Sequence, residues 1–429
     1  TEVCVGNNTA YAGNPNVVIP DSVTYEGVKY RVDNVSNMAF DGNKIIETLD
    51  VAVGAINFSA FRDCSKLSSV TLGENLRSIS YSAFKNDTLL TSVHIPANVS
   101  YIDWLNPFAL CSRITAFTVA EGNTAFCAID GVLYNSDTTQ IISYPLAKIP
   151  FTGFRESVTM LSKGSFQGYK GLDTLTLPLR ITDTNGAFTG SSVKTLIVEC
   201  PVVYNAFQNC WLLETIILGK NVTKIGELTF SNCTALRNIT CKGDSVPFLQ
   251  YPNTSSWPCF RNVNLSLITL TVPCGKTAKY QADTDKWADF TTITEDFFYD
   301  LTVESANEAQ GTVAVTTAPD CSTDAVIAAT PATDYLFYKW SDGNTDNPRT
   351  LTVTSDTTFT AQFKKDATAL QYTELENKVN VFVENGWVRC EREFRIYDVT
   401  GRDVTKQNGK LNGIYIVKTD DNVTKVVVR

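Results

Sequence analysis

One frame recurs along the first two-thirds of the chain and constrains everything else. Residues Ala60–Leu72 read AFRDCSKLSSVTL; the frame returns as AFKNDTLLTSVHI (Ala83–Ile95), AFQNCWLLETIIL (Ala206–Leu218) and TFSNCTALRNITC (Thr229–Cys241). Its phenylalanines fall at 40, 61, 84, 108, 166, 188, 207 and 230, most of them 19 to 24 residues apart. Five residues before the ring sits an aliphatic (Val35, Ile56, Ile79, Leu161, Val202, Ile225), and six after it another, such as Leu67, Leu90 or Leu213. Nine and eleven after it comes an alternating pair, such as Val70/Leu72 or Ile216/Leu218, with the spacing of a strand that buries every second residue. A unit of this length cannot bury its apolar face alone. Stacked units share one continuous core and line their short strands into a parallel sheet. The expected fold is therefore a leucine-rich-repeat solenoid, with a curved parallel sheet as its concave wall and short helical or irregular segments on the convex side. At 429 residues the chain is too long for one globular core, a limit that a solenoid escapes by growing in one dimension.

The AF-x-x-C-x-x-L-x-x-V-x-L pattern resembles the BspA-like leucine-rich repeats of bacterial surface proteins, over roughly residues 1–297. Val17–Phe40 resembles the N-terminal cap of that family. Glu121–Pro145 resembles its hairpin insertion, which accounts for the long gap between Phe108 and Phe166, and Leu270–Glu295 its closing segment. At Phe188 the pair Leu196/Val198 comes one residue early, so a turn is shortened there. Residues 298–365 hold Y-x-F-Y-K-W-S-D-G and, after a turn-rich stretch, L-x-V-T-x-D-T-T-x-T-A-x-F, which resembles the internalin B-repeat modules; Trp340 and Phe363 are its expected core. Residues 366–429 carry FRIYDVTGRDV and LNGIYIVKTDDNVTKVVVR, a strand followed by a hairpin over Asp420–Asn422. This tail resembles the C-terminal sorting domains of outer-membrane secretion; the alternative is a third β domain with no targeting role. Both terminal modules are expected to be small and mostly antiparallel.

Composition excludes several classes. A net charge of −9 argues against nucleic acid or an anionic membrane as partner. No apolar run of about 18 residues exists to span a membrane. The chain opens TEVCVGN without a charged-plus-apolar leader, consistent with a removed signal peptide or a cytosolic protein. With the surface-protein resemblance, the expectation is an extracellular or outer-membrane location after signal-peptide removal. Of 12 cysteines, Cys64, Cys111, Cys210 and Cys233 sit three residues after the repeat ring, where sister units hold Asn43, Asp87, Tyr169 and Ser191, and Cys241 sits at an inward strand position. These five are expected to be buried free thiols. Among the rest, Cys259 and Cys274 flank the closing segment as a candidate pair.

No catalytic constellation emerges. The one histidine, His94, lies between inward Val93 and Ile95 and faces outward; with no C-x-x-C spacing it gives no zinc pattern either. The carboxylate pairs Asp283/Asp285 and Asp420/Asp421 fall in turn-rich segments rather than on opposed walls. Asp342 and Lys339 read as a turn residue and a solvated charge. No phosphate-binding loop occurs, and no cofactor or metal is implied. Three classes remain: a non-enzymatic surface protein that binds or adheres to a protein, such as a host-matrix protein; a structural envelope or spacer protein; and a glycan-binding or glycan-active protein. The first is preferred, as a monomer. Its binding face would be the outward stripe of the repeat strands: Thr71, His94, Thr118, Thr176, Thr195, Ile197, Thr215 and Ile217. The two isoleucines, expected to be exposed beside a column of threonines, would form an apolar centre with a hydroxylic rim.

Overall fold

The computed structural model describes residues 2–5, 13–250, 258–283, 286–366, 380–420 and 423–428. The side chain of Cys4, together with Asp285, Asp421 and Asn422, lies outside them. The repeats form a parallel β-solenoid. Its strands of four or five residues pair in register in three sections among the described residues. The first runs Asn16–Ile19, Thr48–Val51, Ser69–Leu72; the second Ser92–Ile95, Ala116–Val119. The third has six strands: Thr174–Leu177, Thr195–Val198, Thr215–Leu218, Asn238–Cys241, Thr269–Pro273 and Thr292–Asp296. A second line of two-residue strands, such as Ala55–Ile56, Ser78–Ile79 and Tyr101–Ile102, forms another wall.

The third side is made of turns rather than helices; the one α-helix among the described residues, Thr277–Gln281, lies in the closing segment. Each turn holds its ring between two residues of left-handed backbone, one two places before the phenylalanine and one two places after. Around Phe61 these are Ser59 (φ 51°) and Asp63 (φ 59°); around Phe166 they are Gly164 and Gly168. That reversal aims the turn's amides at the next rung: Phe61 N donates to Ala83 O at 2.8 Å and Asp63 N to Lys85 O at 2.9 Å. The rings then stack, Phe40 on Phe61 at 5.1 Å, Phe61 on Phe84 at 5.5 Å and Phe188 on Phe207 at 5.1 Å. Every repeat phenylalanine is buried, as are Leu67, Leu90, Leu213 and Leu236. Stacked aromatic pairs add about 0.5–1.5 kcal/mol beyond the area they bury.

Two rungs were hidden in the sequence. Phe260 stacks on Phe230 at 5.6 Å and extends the column by one. Within the insertion, Phe126–Ile129 pairs antiparallel with Val132–Asn135 across the Asp130–Gly131 turn, and Gln140–Ser143 then runs parallel to Met160–Leu161. Tyr144 follows. Its ring stacks on Phe166 at 4.6 Å and its amide donates to Ser165 O at 3.0 Å, the bond that Phe61 makes to Ala83. The insertion thus supplies a rung of its own.

Three sequence-based expectations are corrected. The inward residue before Phe207 is Val203, fully buried, and not the half-buried Val202, because the shortened turn moves the short strand one place along. Val70 and Val119 are half-buried; each lies in a strand at the end of a sheet section. Cys274 is disulfide-bonded to Cys321, not to Cys259. Cys259 precedes Phe260 in the place alanine takes in other rungs; it faces inward and is buried and free. The ladder thiols Cys64, Cys111, Cys210 and Cys233 are buried and free, as is Cys241. Each ladder sulfur points at a backbone carbonyl of the preceding rung, Cys111 Sγ lying 3.0 Å from Phe84 O and Cys233 Sγ 3.2 Å from Phe207 O.

By compactness the chain divides into two units. One comprises Thr1–Val303 with Ala314–Ala328 and Asp346–Phe359; the other comprises Glu304–Val313, Ala329–Thr345 and Thr360–Arg429. Residues 301–366 contribute two three-stranded sheets. In the first unit, residues 325–327 pair antiparallel with Arg349–Leu351, and the Cys274–Cys321 bond and the Lys220 ion pairs to Asp300 and Asp356 tie this part to the closing rungs. In the second unit, Trp340 is fully buried beside Phe337, with Phe363 nearly so. There the tail forms the hairpin Val381–Glu384/Trp387–Cys390 and the antiparallel sheet Arg395–Asp398, Gly413–Lys418, Val423–Val428, closed over Val388, Ile396, Val417 and Val428.

Candidate binding face

Strand alternation decides what the sheet presents. In Thr195–Val198, Leu196 and Val198 are buried, so Thr195 and Ile197 point away from the core. Parallel in-register pairing then turns each outward position into a row across the sheet. In the six-stranded section one row is Thr174, Thr195, Thr215, Asn238, Thr269 and Thr292. The other is Thr176, Ile197, Ile217, Thr240, Thr271 and Thr294. Neighbouring strands lie about 4.8 Å apart and alternate residues about 7 Å apart, so the two rows form a regular lattice of side chains, all β-branched but Asn238.

Five of the eight expected residues, Thr176, Thr195, Ile197, Thr215 and Ile217, therefore share one surface. His94 and Thr118 sit together on the two-stranded section, His94 Nδ1 lying 2.8 Å from Thr118 Oγ1, both exposed. Thr71 faces outward on the first section beside Asp50 and is not part of either group. Ile197 and Ile217 are half-buried rather than exposed: strict register sets each against the other, with Thr176 and Thr240 covering their far sides. The face also continues further than the sequence reading placed it. Thr269/Thr271 and Thr292/Thr294 extend both rows, and Thr271 Oγ1 lies 3.1 Å from Thr294 Oγ1. The signal was present, since T-L-T at 269–271 and T-I-T at 292–294 repeat the T-L-T of 174–176, but reading this stretch as a closing segment concealed it.

Chemically, the face offers hydroxyls and methyl groups. At its rim Lys194 Nζ meets Asp173 Oδ1 at 2.9 Å, an exposed pair of little energetic weight. Among the described residues, no carboxylate or amide is bonded to the other ring nitrogen of His94, the orienting group that a nucleophile–base pair needs. Among the described residues, no three His, Cys, Asp or Glu side chains gather as a metal site. Burial pushes the ladder thiols up, Cys64 and Cys111 with help from the neighbouring Asp87, away from the reactive thiolate.

No curated protein matches the chain. Among solved structures, the pneumococcal vaccine antigen PcpA is 18% identical, with a TM-score of 0.42 over 68% of this chain and 91% of that one. A leucine-rich cell surface protein of Faecalibacterium prausnitzii is 20% identical, with a TM-score of 0.33 over 57% and 90%. A leucine-rich-repeat protein of Bacteroides capillosus is 32% identical, with a TM-score of 0.25 over 28% and 86%. The divergent InlB B-repeat domain matches residues 301–367. The BspA-type leucine-rich-repeat region matches residues 33–148, 144–246 and 202–278, together more than half of the chain. The chain belongs to the BspA-type leucine-rich-repeat family, whose members are bacterial surface proteins.

Proposed function

We propose that this chain is a non-enzymatic adhesion protein that binds a protein ligand, an extracellular-matrix protein of a host, on the outward face of its solenoid sheet. The observation that carries the reading is the adjacency of Ile197 and Ile217 in register, with Thr176 and Thr240 across the sheet and Thr195 and Thr215 before them along their strands. Two apolar side chains, already half-ordered by their neighbours, bury fully against a partner at little entropic cost, while the surrounding hydroxyls make the rim bonds. His94 with Thr118, and Thr71, lie on the other two strand sections and stand outside this centre. The protein acts as a monomer, without nucleic acid. No helix among the described residues is long and apolar enough to cross a membrane.

The Cys274–Cys321 disulfide supports an extracytoplasmic location, because such bonds persist in oxidising compartments. We read residues 366–429 as the element that directs the chain to the outer surface. Its D-x-x-G-R loop is a tight structure in which Asp398 Oδ1 accepts from the amides of Thr400 and Arg402, each at 3.0 Å.

The test is capture by the full chain from a panel of purified fibronectin, fibrinogen, laminin and collagen, alongside protease shaving of intact producing cells. The reading expects saturable binding to a panel member and release of the solenoid by shaving. Absence of binding across the panel, or survival of shaving with fractionation into the cytosol, would overturn it. A spacer protein would bind none of the panel yet still be shaved, and turnover of a glycan substrate would favour the enzymatic class.

A further inference from the structure

The N-terminal rungs carry a cleft of about 830 Å³, lined by residues between Asp21 and Ser78 and so not by the six-stranded section. It lies under the hairpin Ser22–Tyr25/Val28–Val35, where pairing of Ser22 with Arg31 and Thr24 with Lys29 sets Lys29 and Arg31 on one face. The chain continues to Asp33, and from there one column descends through successive rungs. Gly54 N donates to Asp33 O at 2.9 Å, and Arg77 N to Gly54 O at 2.8 Å. Asp33 and Arg77 thus flank a residue with no side chain. A Cβ on Gly54 would sit 3.2 Å from Asp33 O, so the glycine keeps the hollow open. Ala55 and Ser78, the next outward residues on these rungs, are small as well.

The charges are arranged unevenly. Arg31 is paired with Asp33. Lys29 and Arg77 line the same cleft and have no ion pair among the described residues. In a chain of net charge −9, two cations without carboxylate partners facing one hollow indicate an anionic occupant. The rest of the lining narrows the class. Asp21 and Asp33 are acceptors, while Ser78 and Asn75 both donate and accept, and among the described residues Val32, Ala52 and Ala55 are the only apolar side chains of the lining. A polyanionic peptide brings few hydroxyl donors for the two carboxylates and finds little apolar surface for its side chains. A sugar bearing a carboxylate satisfies both halves: its carboxylate takes the Arg77 fork and Lys29, and its hydroxyls donate to Asp21 and Asp33. The volume falls in the usual range of small-ligand sites and accommodates about two or three pyranose rings.

We propose that this cleft is a binding site for acidic oligosaccharides, distinct from the protein-binding face. The test is isothermal titration of the full chain with tri-galacturonic acid, galactotriose and penta-glutamate. The proposal expects saturable binding of tri-galacturonic acid that weakens at least tenfold between 50 and 500 mM salt, with galactotriose and penta-glutamate at least tenfold weaker. Arg77→Gln and Lys29→Gln, both at exposed side chains, should each weaken it about tenfold while leaving the melting midpoint in place. Adding the second variant to the first should abolish measurable binding. Equal affinity for galactotriose, tighter binding of penta-glutamate, no binding of tri-galacturonic acid, or binding indifferent to both substitutions would each overturn the proposal.

Discussion

Asp87 occupies the ladder position three residues after Phe84 and is fully buried. Its Oδ1 accepts from Cys64 N at 2.8 Å, while its Oδ2 is buried with no hydrogen-bond partner among the described residues. Burial, opposed by the Cys64 amide and assisted by Asp63, pushes its carboxyl up to about 9. The folded rung therefore holds a neutral acid at pH 7, standing where sister units use Asn43 or a thiol. The sign follows from proton counting. The unfolded chain releases this proton near pH 3.8 and the folded one near 9, so the folded state carries the extra proton between. Stability is full below about pH 4 and falls as pH rises, by about 1.4 kcal/mol per unit, until the folded group ionises. Asp87→Asn keeps the acceptor for Cys64 N and removes the proton. Relative to wild type, the variant should gain about 4 kcal/mol between pH 5 and pH 8. Urea unfolding of both proteins at the two pH values measures this directly, because every other titrating group is common to both and cancels. A gap between variant and wild type that does not widen with pH would refute the reasoning, and would mean that Asp87 is ionised or solvated in the fold.

Phe61→Ala, which removes a ring stacked between Phe40 and Phe84, should cost about 3–5 kcal/mol, against near zero for the surface control Ser69→Ala, both read from denaturant midpoints. Met38 sits at φ 55° and is 48% exposed, so Met38→Asn should relieve backbone strain and raise stability by about 0.5–1 kcal/mol. Alkylation of the native protein without reductant, followed by mass spectrometry, should leave Cys64, Cys111, Cys210 and Cys233 unmodified and return Cys274–Cys321 as a linked peptide pair; rapid labelling of the four, or free Cys274, would contradict the structure.

The repeat core was legible because stacking imposes one residue type at one place in every rung. Phe61, Leu67 and Leu72 are buried for the reason that Phe84, Leu90 and Ile95 are, and eight copies make the pattern plain. What escaped reading were departures that residue type does not announce. The left-handed positions beside each ring are Gly or Asn in most rungs, but Met38, Leu110 and Leu228 fill them too, with nothing in those side chains to mark a reversal. Tyr144 and Phe260 are rungs without the A-F dipeptide. The one-place shift from Val202 to Val203 follows from a turn length that only the backbone register reveals. Of the candidate face, outward direction was legible from alternation alone. Exposure was not, because it depends on which side chains the register sets beside Ile197 and Ile217. The partner of Cys274 lies 47 residues away in another module, and no local spacing encodes that approach.

The central claim is that the Ile197–Ile217 pair forms the apolar centre of a protein-binding face. The direct measurement is the affinity of the Ile197→Asp/Ile217→Asp double variant for the matrix protein captured by wild type, with circular dichroism recorded on both. Because these side chains point away from the core, the spectrum should be unchanged. Burying two carboxylates where two aliphatics had docked should weaken binding at least a hundredfold, to below detection. A double variant that keeps its fold and binds as wild type would contradict the account and move the ligand to the insertion hairpin or the terminal modules.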